Sequence, residues 1–254
     1  MMGQSMIDNG TLLEVLAVEG AALAEVVRGA SAEAPVPTCP GLTIGETARH
    51  VGSVYRMARG WLIEGHRPTQ WDRDPPPGQS TVEYFLEGHQ DLLGQLRAHD
   101  PEDHAATWWP ADRTYGFWGR RMAHETTIHR IDVQAASGAE IAEVAEDVAL
   151  DGVDEVLALW FAQKLPLLGL SGTKAGSVGI KTGGHHWIAR AGPGETTAWR
   201  CSAREASQAD AVVTATPMQV YLWLWGRASL LSVKVRGQHD AAAQLWALLR
   251  LATR

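Results

Sequence analysis

From Thr11 to Arg28, Leu12, Val15, Leu16, Leu23, Val26 and Val27 recur at helical spacing, which predicts a first amphipathic helix. Glu19 and Gly20 interrupt its stripe. Three prolines between Ala34 and Gly41 end it, because proline cannot continue a helix. Thr43 followed by Glu46 is a capping box and opens a second helix to about Glu64. On it His50, Val54, Met57 and Trp61 form one stripe, so His50 is expected to point inward with its apolar neighbours. A proline-rich connection leads to a second capping box, Ser80 and Glu83, and a third helix to about His99. A long loop carries Trp108-Trp109-Pro110, whose rings either wall a pocket or plug the bundle end. A fourth helix is predicted over 117–137, stopped at Gly138.

From about Glu140 the pattern changes. A helix is predicted over 147–164, ending near Pro166. Short β-like runs follow at 177–181, 185–190, 196–201 and 211–214, then a helix over 218–225, a strand over 232–235 and a last helix over 239–251. The expected class is α+β: a four-helix bundle over 1–140 and a smaller α+β domain over 141–254.

Composition narrows the function classes. A net charge of −7 over 254 residues argues against nucleic acid or an anionic membrane surface as the main partner. No apolar run approaches the roughly 20 residues of a membrane span. The first ten residues lack the pattern of a secretory signal, so a soluble cytoplasmic protein is expected. Two cysteines, Cys39 and Cys201, build no disulfide framework, and Cys39 reads as a small half-buried residue rather than a nucleophile. Eleven tryptophans make aromatic-walled cavities plausible. Tyr221 to Trp225 is either an interaction surface or part of the α+β core, and adjacent His185 and His186 point to opposite sides of a strand.

Candidate chemistry sits in the fourth helix. Glu125 and His129 are four residues apart, on one helical face. Uncompensated burial of such groups costs about 2–7 kcal/mol each. A divalent cation compensates them directly. A hydrogen-bonded Glu–His pair or a solvent-facing stripe are the alternatives. A metal held by that pair needs a third ligand, and His50 has the right residue type on a neighbouring helix. His124 lies about 100° round the helix from Glu125 and is not expected to join. Glu46 is four before His50 and is assigned to the helix cap.

Cys39-Pro40-Gly41-Leu42-Thr43-Ile44, Ala48-Arg49-His50-Val51, and Met122-Ala123-His124-Glu125 through His129-Arg130-Ile131-Asp132 resemble the mycothiol-dependent maleylpyruvate isomerase family. Further likeness runs through Ala211-Val212-Val213, Leu222 to Arg227 and Val235-Arg236-Gly237, covering essentially the whole chain. The resemblance implies a DinB-like bundle with an α+β C-terminal domain. It implies a divalent ion, zinc, on His50, Glu125 and His129, with Arg227 matching the family's pocket arginine. Three protein ligands leave a position open for water or substrate.

Asp132, one turn past His129, is expected to orient it, and Arg130 to make a structural ion pair. The leading functional expectation is a metal- and thiol-dependent isomerase or S-transferase, using mycothiol on a small electrophile whose carboxylate Arg227 would hold. The alternatives are a metal-dependent hydrolase or cyclase that needs no thiol, and a non-catalytic metal-binding interaction protein.

Overall fold

The computed structural model describes residues 4–253. The chain divides into one unit over 8–142 and another over 143–253 that also takes in residues 4–7. The first unit is helical. Helix α1 spans Asn9–Gly29, α2 Ile44–Glu64, α3 Thr81–Arg97 and α4 Tyr115–Ser137. Each has a side-chain cap at its start: Asp8 for α1, Thr43 for α2, Ser80 for α3 and Thr114 for α4. Thr43–Glu46 and Ser80–Glu83 both form reciprocal capping boxes, so two orphan N–H groups are satisfied at each start. Helix α4 stops where Gly138 turns left-handed at φ 75°, a conformation without steric cost only for glycine.

Leu12, Leu16 and Leu23 of α1, Val51 and Tyr55 of α2, Phe85 and Leu92 of α3, and Trp118 and Met122 of α4 are buried and form the bundle core. The apparent break in α1 is filled by two distant partners. Glu19 pairs with Arg130 through both oxygens, at 2.5 and 2.9 Å. Gly20 leaves the space that the His89 ring occupies, for a Cβ there would lie 2.4 Å from His89 Nε2.

The inward reading of the His50 stripe needs correction. The buried face of α2 is Ala48, Val51, Tyr55, Ala58 and Leu62, whereas His50, Val54, Met57 and Trp61 are only half-buried. The two stripes are offset by one residue, about 100° of helix rotation, so only one can face the core centre. The other faces the bundle's flank. Trp108 and Trp109 pack on Phe117 at the start of α4, with ring centroids 5.7 and 6.2 Å away.

The second unit is a five-stranded sheet with helices. Strands β1 (Gly176–Thr182), β2 (His185–Gly192), β3 (Glu195–Arg200), β4 (Ala211–Thr214) and β5 (Lys234–Gly237) lie in the order β3-β2-β1-β4-β5. Among the described residues only β1 and β4 pair in parallel. The helix expected over 147–164 is composite: α5 (Glu146–Glu155) runs into a π-helical stretch, Val156–Lys164, and a short α6 (Leu165–Leu167). A short α7 (Ala203–Ser207), absent from the sequence reading, starts on a capping box of Ser202 and Glu205. Helices α8 (Pro217–Leu224) and α9 (His239–Ala252) complete the unit. Tyr221, Trp223, Leu224 and Trp225 are all buried, so this tryptophan-rich segment is core and not an interaction surface. Among the described residues no helix is long and apolar enough to cross a membrane.

Candidate metal centre

Helix α4 brings Glu125 and His129 together by their four-residue spacing, and α2 delivers His50 from the bundle's flank. Glu125 Oε1 lies 3.4 Å from His50 Nε2 and 3.4 Å from His129 Nε2. The two imidazole rings meet edge to face, 5.2 Å apart. One donor atom from each residue falls within 4.8 Å of the others.

The two separations at Glu125 Oε1 bear on the choice between a hydrogen-bonded cluster and a ligand set. A separation of 3.4 Å is long for an N–H···O hydrogen bond, whose mode is about 2.9–3.0 Å. It matches the edge of a tetrahedron with metal–donor bonds of about 2.0–2.1 Å, which is roughly 3.3–3.4 Å. Two imidazole nitrogens and a carboxylate oxygen are also the donor types that suit zinc. The residues therefore fit a small divalent cation. His50 is the open side, with 41 % of its side chain exposed against 16 % for Glu125 and 10 % for His129.

Each inner residue is held from behind. Arg121, one turn before Glu125, donates from Nη2 to Glu125 Oε2 at 2.6 Å and leaves Oε1 to the imidazoles. Burial works against a charge on Glu125, but the imidazoles of His129 and His50 and the Arg121 guanidinium hold its carboxyl well below the usual carboxylate range. Asp132 Oδ2 lies 3.1 Å from His129 Nδ1. Burial disfavours a protonated His129, yet Asp132, Cys39 and Glu125 together raise it well above the usual imidazole range. Asp132 is fully buried and accepts from Thr38 Oγ1 at 2.6 Å and from Cys39 Sγ at 3.3 Å.

The model of the mycothiol maleylpyruvate isomerase N-terminal domain matches residues 13–134, and that of the same family's C-terminal domain matches residues 147–244. The chain belongs to the mycothiol-dependent maleylpyruvate isomerase family. Two solved structures share its fold over 91 % of this chain and 95 % of theirs. One is a mycothiol-dependent maleylpyruvate isomerase, 12 % identical with a TM-score of 0.57. The other is a histidine-to-alanine mutant under the same enzyme name, 10 % identical with a TM-score of 0.59. No curated protein sequence matches the chain significantly.

Within this family member the other sequence candidates fall as follows. His124 is fully buried and is not one of the three clustered donors. Glu46 caps α2 through Thr43 N at 2.8 Å. Arg130 is a bundle ion-pair residue, bonded to Glu19 and also to Gln134 and the Ala142 carbonyl. His185 is exposed and its neighbour half-buried, at the start of β2. Arg227 follows α8 and donates from Nη1 to the Trp225 carbonyl at 2.7 Å. Sequence reasoning missed Arg121, Thr38 and Cys39. The first was legible as an arginine one turn before a candidate ligand. The other two are 93 and 94 positions from Asp132, and no local pattern reports that pairing.

Proposed function

We propose that this protein is a thiol-dependent enzyme of the maleylpyruvate isomerase type, with His50, Glu125 and His129 holding a divalent cation, zinc by donor type. The observation that carries the reading is Glu125 Oε1 standing 3.4 Å from two imidazole Nε2 atoms, one of them on a half-exposed side chain. A bound cation would supply Lewis acidity, which lowers the pKa of a small thiol such as mycothiol enough for it to act as a nucleophile at neutral pH.

The protein's own residues set the stage for that chemistry. Arg121 fixes the rotation of Glu125 and presents a single oxygen. Asp132 Oδ2, 3.1 Å from His129 Nδ1, favours a proton on that nitrogen, which would leave Nε2 as the donor atom. The exposed side of His50 is where thiol and electrophile enter. The reaction class is addition of the thiol sulfur to an electrophilic carbon of a small substrate. In the isomerase form the sulfur adds to a conjugated double bond, the resulting single bond rotates, and the thiol leaves to give the trans product. In the transferase form the new carbon–sulfur bond stays. Arg227 is assigned, on the family likeness alone, to a substrate carboxylate, which a guanidinium grips through two parallel hydrogen bonds.

The test is turnover by zinc-loaded protein with mycothiol, across cis-enone acids and other small electrophiles. The expected result is turnover that requires the thiol and disappears in His50→Ala with the fold intact. Equal turnover without any thiol would instead mean hydrolytic or cyclising chemistry, and no turnover of any electrophile would contradict the enzyme reading.

A further inference from the structure

The segment between α1 and α2 is a closed, stiff loop rather than a slack linker. Val36 N donates to the Leu42 carbonyl at 2.9 Å, Ile44 N to the Ala34 carbonyl at 2.9 Å, and Pro35 and Thr43 form a β-bridge. Inside this closure Cys39 N donates to the Val36 carbonyl and Leu42 N to the Cys39 carbonyl, at 3.1 and 3.0 Å. Val36 is buried at 1 % exposure and anchors the loop, while Pro35, Pro37 and Pro40 restrict its backbone. Gly41, at φ +94°, supplies the one left-handed residue the turn requires.

The loop presents two adjacent side chains to one buried carboxylate. Thr38 Oγ1 donates to Asp132 Oδ1 at 2.6 Å, and Cys39 Sγ donates to Asp132 Oδ2 at 3.3 Å. Oδ2 is the atom that faces His129 Nδ1 at 3.1 Å. An aspartate has two side-chain torsions, and a donor on each oxygen fixes both. A fixed carboxylate 3.1 Å from Nδ1 restricts how the imidazole can turn, and its Nε2 lies 3.4 Å from Glu125 Oε1. Partners of this outer kind typically change metal affinity by about 10–100-fold.

We propose that Cys39 and Thr38 are positioning residues for the metal centre: their thiol and hydroxyl lock Asp132, which in turn sets the tautomer and tilt of His129. The inference rests on the metal reading above and assigns a purpose to the Thr38-Cys39-Pro40 segment. Cys39 acts here as a hydrogen-bond donor. It is neither nucleophile nor direct ligand, although its sulfur lies within 4.8 Å of donor atoms of His129 and Asp132.

The experiment is titration of the purified full-length protein with cobalt(II) and with zinc, following affinity and the cobalt visible spectrum, in wild type, Cys39→Ala, Cys39→Ser and Thr38→Val. Cys39→Ala and Thr38→Val are expected to weaken binding about tenfold and to alter the cobalt ligand-field bands. Cys39→Ser keeps a donor and should restore both. Thermal unfolding of the metal-free proteins separates this from loss of fold, since a variant with an unchanged melting temperature and a changed spectrum acts on geometry. Wild-type affinity and spectrum in Cys39→Ala and Thr38→Val would overturn the proposal while leaving the three-ligand reading intact. A sulfur-to-cobalt charge-transfer band in wild type, lost in Cys39→Ser, would overturn it by making Cys39 a ligand. A wild type that binds neither ion would sink the metal reading and this inference together.

Discussion

Arg121 takes one carboxylate oxygen of Glu125 at 2.6 Å, and the other oxygen is left between two imidazoles. The pairing is one helical turn long, with the Arg121 side chain only 3 % exposed, so its geometry is fixed by α4 itself. Arg121→Gln removes the charge that fixes the carboxylate. It is expected to weaken zinc binding about 10-fold, within the range of outer-sphere changes, whereas Glu125→Gln costs more. Competition against a chromophoric chelator measures both, and equal losses would show that Arg121 acts on more than Glu125.

Metal binding should release a proton. In the metal-free protein His129 is held protonated well above the usual imidazole range, and a cation must take the place of the Nε2 proton. The raised value means that the proton is bound at pH 7 and is lost only as pH rises through it. Apparent affinity should therefore improve by up to about tenfold per pH unit below that point. Calorimetric titration at pH 7 in buffers of different ionisation enthalpy should report about one proton released per zinc bound. A binding enthalpy independent of the buffer would contradict this.

The bundle should depend strongly on a pair far from the centre. Arg130 is 1 % exposed and bonds both oxygens of Glu19. Removing one partner strands a buried charge, at a cost of about 3–5 kcal/mol. Glu19→Leu is expected to lose that much by urea unfolding, and the double variant Glu19→Leu/Arg130→Met to be less damaged than Glu19→Leu alone. A double variant at least as damaged as Glu19→Leu would show that the pair is not acting as a unit.

His89 should make the bundle acid-sensitive. Its burial lowers its pKa and the charge of Arg97 lowers it further, against the opposing bond to the Leu16 carbonyl at 2.9 Å. Below an unfolded-state value of about 6.5 the unfolded chain takes up a proton that the folded chain does not. Stability therefore falls as pH drops from about 6.5 toward the folded value. The urea midpoint should fall between pH 7.5 and 5.5 by more in wild type than in His89→Gln. Equal falls would assign the sensitivity elsewhere.

Local chemistry was the legible part of the sequence. The capping pairs Thr43–Glu46 and Ser80–Glu83 and the stop at Gly138 are written within a few residues, and all three operate as read. So is the spacing that puts Glu125 and His129 on one face of α4. Illegible features depend on partners distant in the chain. Glu19 looked like a defect in α1 because Arg130 is 111 positions away. Gly20 looked like another because nothing local shows the His89 ring that needs its space. His50 was misplaced for a subtler reason: two stripes of α2 are both mostly apolar, and only packing decides which one is central. The π-helical stretch Val156–Lys164 left no trace, since an apolar run reads the same whether its bonds span four residues or five.

The central claim is that His50, Glu125 and His129 hold one divalent cation, and zinc stoichiometry by equilibrium dialysis followed by elemental analysis tests it most directly. Wild type and Glu46→Gln, a change at an exposed helix cap, are expected to retain one zinc per chain, and His50→Ala, Glu125→Gln and His129→Ala to lose it under the same conditions. A wild type without zinc, or a Glu125→Gln protein that binds it as wild type does, would contradict the account.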